Sequence, residues 1–302
     1  GTLAAQETAA HDARELPPGL IVPDAAKPGP DFDVDKATAA YIDLLSPQQR
    51  AQSDAYFEGG YWLQLWGFLY GLLVCVVFIT TGLSQKLRDI AKRISHRPWL
   101  YTAIYAAFWL VAAELLSLPW ALYTDYFREH AYGLSNLSLG AWFGEGGKDL
   151  LVSLVIVPWI ITGIFTAVRK AGETWWLRAG VAGFGVILLL MMIAPVLISP
   201  LFNDYKPLAE GPVKSAIFSL ARANQIPTDN VVYFDASKQT TRVSANVSGF
   251  AGTTQVSLND NLLLKTSLPE IKAVMGHEMG HYVLNHSLRL AVYLSLIILF
   301  GF

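Results

Sequence analysis

Charge is scarce in this 302-residue chain: Asp, Glu, Lys and Arg make up 15% of it, against about 25% in soluble domains. The deficit is concentrated in long uncharged runs, and mean hydropathy is +0.37. That pattern points to a lipid bilayer as partner rather than to one large soluble core. A cationic excess is also missing, since the formal net charge is −2, so nucleic acid is excluded as a partner class. Cysteine is limited to Cys75, which rules out an intrachain disulfide framework. Its place inside an apolar run reads as a small buried apolar residue. No internal repeat is evident.

What is there falls into four stretches. Residues 1–60 form an acidic N-terminal tether followed by an amphipathic helix. Early prolines and polar text make 1–32 an extended or disordered segment; helical patterning runs from Asp35 to Ala55, with Ser46-Pro47 as a cap and first-turn proline. Residues 61–201 hold four apolar runs of spanning length. These are Tyr61 to Gly82, Trp99 to Leu122 with Glu114 inside it, Leu150 to Val168, and Ala179 to Leu201. Pro158 and Pro195 fall inside the last two, as membrane helices tolerate. Residues 202–287 are polar and mixed. Pro212 to Gln225 reads as a helix, Asn230 to Phe234, Arg242 to Val247 and Thr253 to Leu258 as strands, and Ser248 to Gly252 as a turn. Ser267 with Glu270 makes a capping box. Residues 288–302 begin a fifth span that stops midway, so the chain is expected to continue past Phe302. The expected architecture is an α-helical polytopic membrane protein, a transmembrane bundle carrying a small α+β zincin-like domain.

The chemistry sits on the helix after that capping box, in His277-Glu278-Met279-Gly280-His281. Two His at i and i+4 lie on one helix face and reach a single ion. Zn2+ takes such nitrogens and keeps one position open in a hydrolase. Glu278, one residue on, stands where a general base toward the attacking water belongs. A chance match in one chain is expected on the order of once in a few hundred chains. Gly276 and Gly280 remove side chains from this helix, which is costly unless something packs closely there. A third protein ligand is expected beyond residue 302. On a straight helix His286 lies about half a turn out of phase with His277. It would ligate only if the helix broke; a helix-end or outer-shell place is expected instead.

Several segments, in order, give the chain a resemblance. Leu118-Pro119-Trp120, Phe127-x-Glu129 with Gly133, Pro200-Leu201-Phe202-Asn203, Pro207-Leu208, Ser244 to Gly249, and His277 to His281 with Asn285-His286 are similar to the type I CAAX prenyl endopeptidases. These are integral-membrane zinc proteases, and the likeness runs from about residue 40 to 302. The resemblance implies that His277 and His281 bind zinc, that Glu278 is the catalytic base, and that a Glu on a later helix completes the site. It also implies a water-filled chamber between the helices, where substrate adds as a strand beside Ala245, Asn246 and Val247. An extended peptide gains main-chain hydrogen bonds from such an edge whatever its side chains. The family's eukaryotic edge reads Asn-Ala-Tyr instead. Glu129 and His130 are expected in a shared loop, and Glu114 is either chamber-lining or paired.

The function implied is a membrane-embedded zinc metalloendopeptidase acting on membrane-associated or CAAX-type protein substrates. The alternatives are a broad-specificity quality-control protease of the same chemistry, or a non-catalytic membrane scaffold with a relic metal motif. Loop charges give the orientation. Residues 86–97 carry five Lys or Arg, whereas residues 1–60 carry four, together with ten Asp or Glu. Basic loops stay in the cytoplasm. The catalytic stretch is therefore expected on the periplasmic side of a bacterial inner membrane, with an exported, Ala-rich N-terminus.

Overall fold

The computed structural model describes residues 22–27, 29–249 and 254–301. Most of the tether expected at 1–32, and most of the turn expected at 248–252, lie outside those residues.

Local signals explain the helix starts. The Asp33 carboxylate accepts from the N–H groups of Asp35 and Lys36 and opens α1, Val34–Ile42. Ser46 and Gln49 exchange side-chain and backbone bonds of 2.9 and 3.2 Å, the reciprocal cap that opens α2, Pro47–Thr80. Helical pattern before the first span is thus divided between α1 and the first turns of a continuous 34-residue helix. At 1.5 Å per residue α2 is about 51 Å long, while a bilayer's hydrocarbon core is about 30 Å. Its early turns therefore stand clear of the lipid.

A left-handed Gly82 (φ 67°) separates α2 from the basic amphipathic α3, Leu83–Ile94. The second span is α4, Pro98–Ala121, prolonged by a π turn at Leu122–Phe127 and by α5, Arg128–Ala131. Pro119 brings no N–H to the ladder, and the widened turn after it absorbs the fault without ending the helix. Glu129 and His130 accordingly sit on a helix, not in the loop expected. The third span is α6, Leu139–Lys170, and the fourth starts with α7, Trp175–Ile193, and continues through a π turn at Pro195 to Leu201. These are the helices long and apolar enough to cross a membrane, four among the described residues. Cys75 is exposed on α2 rather than buried. Its apolar run faces outward, as a span in lipid allows.

The polar segment folds on a four-stranded sheet of order β1-β2-β4-β3. The strands are β1 (Tyr205–Pro207), β2 (Asn230–Phe234), β3 (Ala245–Ser248) and β4 (Gln255–Asn259). β1 is antiparallel to β2, β2 parallel to β4, and β3 antiparallel to β4. Three helices accompany them, α8 (Pro212–Ala223), α9 (Asp260–Lys265) and α10 (Leu268–Val283), and α11 (His286–Gly301) follows, packed beside α7. Val213, Ile217 and Ala221 of α8, Val256 and Leu258 of β4, and Ile271, Met275 and Met279 of α10 make one buried core. Glu270 accepts from both the N–H and the hydroxyl of Ser267 at 2.7 Å, which fixes the start of α10.

The strand expected from Arg242 begins only at Ala245. Side-chain amides occupy the backbone groups before it. Asn259, 1% exposed, accepts from Ser244 N–H at 3.0 Å and donates to Arg242 C=O at 2.7 Å. Asn261 donates to the carbonyls of Thr240 and Arg242 at 2.8 and 3.1 Å. Asn259→Ala would strand buried partners, at a cost of about 1–3 kcal/mol. It should speed amide hydrogen exchange at 242–245 while leaving the spans protected; unchanged exchange there would refute this role.

Candidate metal centre

Helix α10 has a buried face and an open one. Leu268, Ile271, Met275 and Met279, spaced three and four apart, are buried against the sheet and α8. That leaves His277 and His281 exposed, with Glu278 half-buried beside them. The two Nε2 atoms approach to 2.9 Å, with ring centroids 4.6 Å apart and planes at 77°. Two nitrogens on tetrahedral zinc, at about 2.1 Å from the ion, stand roughly 3.4 Å apart. A shift of about half an ångström would let both take one ion, so the pair fits zinc. Among the described residues no third His, Cys, Asp or Glu completes a metal cluster with them.

Gly276 and Gly280 depart from expectation. A Cβ at either would meet nothing within 4 Å. They lie on the helix's open side, so no described neighbour demands their smallness.

The remaining expected site residues lie on β3, the terminal strand, against α10. Ala245 and Val247 face inward and join the core with the apolar face of α10. Asn246 points the other way, into a polar cleft of about 70 Å³ that it lines with Ser248, Gln255, Ser257, Tyr205 and the end of the fourth span. The three therefore do not form one binding face. What they share is the backbone edge that no described strand covers.

That edge is held from the membrane side. Tyr56 on α2 donates to Glu129 at 2.7 Å, and Arg242 pairs with Glu129 at 2.7 Å and bonds the Tyr56 hydroxyl. The Arg128 guanidinium lies 4.0 Å over the Tyr56 ring. Below this, Ser135 bridges Thr240, and Thr241 N–H donates to Leu134 C=O at 3.1 Å. His130 places its ring nitrogens 2.7 and 2.8 Å from the carbonyls of Tyr126 and Leu137, a packing role. Glu114 is exposed on α4 without an ion pair among the described residues. None of the Tyr56–Glu129–Arg242 contact is local in sequence, so no spacing could have announced it.

Two family models cover nearly the whole chain. Residues 34–204 match the N-terminal region of CAAX prenyl proteases, described as five membrane helices, and residues 207–302 match peptidase family M48. The chain belongs to the M48 family of CAAX prenyl proteases. Within the first match this M48 member has four helices of spanning length among the described residues, against the five of the description. An uncharacterized metalloprotease of Bacillus subtilis, YhfN, is 30% identical over 86% of this chain and 61% of its own length. CAAX prenyl protease 1 of Saccharomyces cerevisiae is 30% identical over 77% of this chain and 54% of its own length. The crystal structure of S. mikatae Ste24p superposes with a TM-score of 0.75 at 26% identity, covering 85% of this chain and 62% of that one. The chain thus spans 54 to 62% of these relatives' lengths, and it is a multi-pass integral membrane protein.

The metal reading of this M48 member predicts zinc in the purified full-length protein at one ion per chain. His281→Ala should lose it. Equal zinc in both proteins, by elemental analysis, would remove His281 from the ligand set.

Proposed function

We propose that the full-length protein is a zinc metalloendopeptidase embedded in the membrane, hydrolysing peptide bonds of membrane-associated or CAAX-type proteins. The observation that carries this reading is the convergence of the His277 and His281 Nε2 atoms, 2.9 Å apart, on the open face of a helix packed along an edge strand. Membership of the M48 family supports it. In this reading His277 and His281 hold the metal, and a third ligand comes from sequence beyond residue 302. Bound zinc would polarise the scissile carbonyl and acidify the attacking water. Glu278 takes a proton from that water as its oxygen bonds the carbonyl carbon. As the C–N bond breaks, Glu278 returns the proton to the leaving amine. The substrate lies extended along β3, its main chain bonded to the uncovered edge of Ala245, Asn246 and Val247.

In this reading a water-filled chamber lies between the spans. We also divide the chain at about residues 60, 201 and 287, into tether, spans, catalytic domain and fifth span.

Glu278→Gln keeps the shape and removes the base. It should retain zinc yet lose about 10²- to 10⁴-fold in peptidase turnover, measured on a peptide substrate with the full-length protein. Undiminished turnover would assign the proton transfer elsewhere.

Orientation follows from charge. Basic α3 lies between the first and second spans; Arg169 and Lys170 close the last turn of the third, and Arg178 falls in the first turn of α7. Cations hold both connections on the cytoplasmic side, which puts the catalytic domain in the periplasm of a bacterial inner membrane. In a Cys75→Ala background, an impermeant thiol reagent on spheroplasts should label Ser53→Cys and spare Ser95→Cys. Labelling only the latter would reverse the topology.

A further inference from the structure

Helix α10 does not run straight into α11. It ends at Val283; Leu284 caps it, and Asn285 takes φ 54°, a left-handed conformation that Asn tolerates better than most residues. α11 begins at the next residue, and the two helices meet at 52°. On an unbroken helix, residues five apart lie about 140° apart around the axis, so His286 would point away from His281. The break swings it back. His281 Nδ1 and His286 Nδ1 stand 2.7 Å apart, with ring centroids at 4.9 Å and planes at 68°.

Two imidazole nitrogens at that distance share one proton, and the other ring nitrogen of His281 decides which carries it. His281 Nε2 faces His277 Nε2 at 2.9 Å. A nitrogen that ligates a cation does so through its lone pair, so the proton of His281 belongs on Nδ1. His281 Nδ1–H then donates to His286 Nδ1, whose own proton sits on Nε2. Metal-ligating histidines commonly donate their second ring N–H in this way, which fixes tautomer and ring orientation.

We propose that His286 is a positioning residue: it accepts the Nδ1 proton of His281 and holds that ring, tautomer and angle, ready for the metal. This rests on the metal reading of His277 and His281. It gives His286 no place among the ligands, because the nitrogen nearest the pair is occupied by His281. It also gives the left-handed Asn285 a function, since only that break puts the acceptor within reach.

The test uses zinc affinity of the full-length protein, by competition with a chelator, for wild type, His286→Ala and His286→Asn. The Asn Oδ1 hangs from Cγ where Nδ1 did, and it can accept the same hydrogen bond. His286→Ala should weaken zinc binding about 10- to 100-fold while still binding one ion per chain. His286→Asn should recover to within a few-fold of wild type. A merely structural histidine would not be rescued by so small an amide, and its loss would lower the unfolding temperature of the metal-free protein equally in both variants. Wild-type affinity in His286→Ala overturns the proposal. So does complete loss of zinc in both variants, which would make His286 a ligand. Should His286→Ala fail to fold, Asn285→Ala keeps the histidine and penalises the left-handed break; it should weaken zinc as well, and unaltered affinity there also overturns the proposal. If wild type itself binds no zinc, the parent reading fails first, an outcome distinct from all of these.

Discussion

Burying Ile271, Met275 and Met279 leaves helix α10 no freedom to rotate about its axis. Each is at most 1% exposed, and each fully buried aliphatic side chain contributes about 1.5–3 kcal/mol relative to exposure. Turning the helix by a quarter would bring several of them into solvent and push His277 toward the sheet. The core thus decides where two imidazoles point, though no core residue touches them. The capping box at Ser267 and Glu270 fixes where along its axis the helix starts. Together they set both coordinates of the histidine pair from side chains that have no chemistry of their own.

The same core settles the edge strand. Ala245 and Val247 are drawn under α10, so β3 runs against that helix with its free backbone edge outward. A strand of four residues is short to hold its register alone. Register comes from Asn259 and Asn261 gripping the preceding backbone, and from Arg242 tied to Glu129 and Tyr56 on the membrane helices. The Arg242 side chain is half exposed, so its ion pair contributes more to placement than to stability. The overlong α2 makes this joint possible: only a helix that outlasts the bilayer can carry Tyr56 to Arg242 beside the sheet.

The features legible in the sequence were those that depend on near neighbours. His277 and His281 declare a shared face through spacing alone, and the spans declare themselves through uncharged length. The capping boxes were readable because three residues suffice to build one. The resemblance to CAAX prenyl endopeptidases, carried by ordered segments from Leu118 to His286, agrees with the M48 family match. What escaped depends on distant partners or on backbone sign. Arg242 to Ser244 look like strand until Asn259 and Asn261, some 15 to 19 residues away, take their backbone groups. Glu129 looks like loop because it lies past the apolar run that ends at Leu122, whereas a π turn carries the helix past it. The smallness of Gly276 and Gly280 suggested close packing, and no described atom is near.

His286 shows most clearly why periodicity has a limit. Phase arithmetic assumes an unbroken helix, and one residue with φ 54° resets the phase. The reset also serves the membrane. α10 must lie along a sheet, with one apolar stripe, whereas α11 is apolar all round and packs beside α7, where Gly180 lets Leu299 approach closely. A straight continuation could not satisfy both surfaces. A bend of 52° does, and its left-handed residue falls four positions after the second histidine of the pair. Because the bend is close, the direction in which the fifth apolar helix leaves is mechanically linked to the side chain that meets His281.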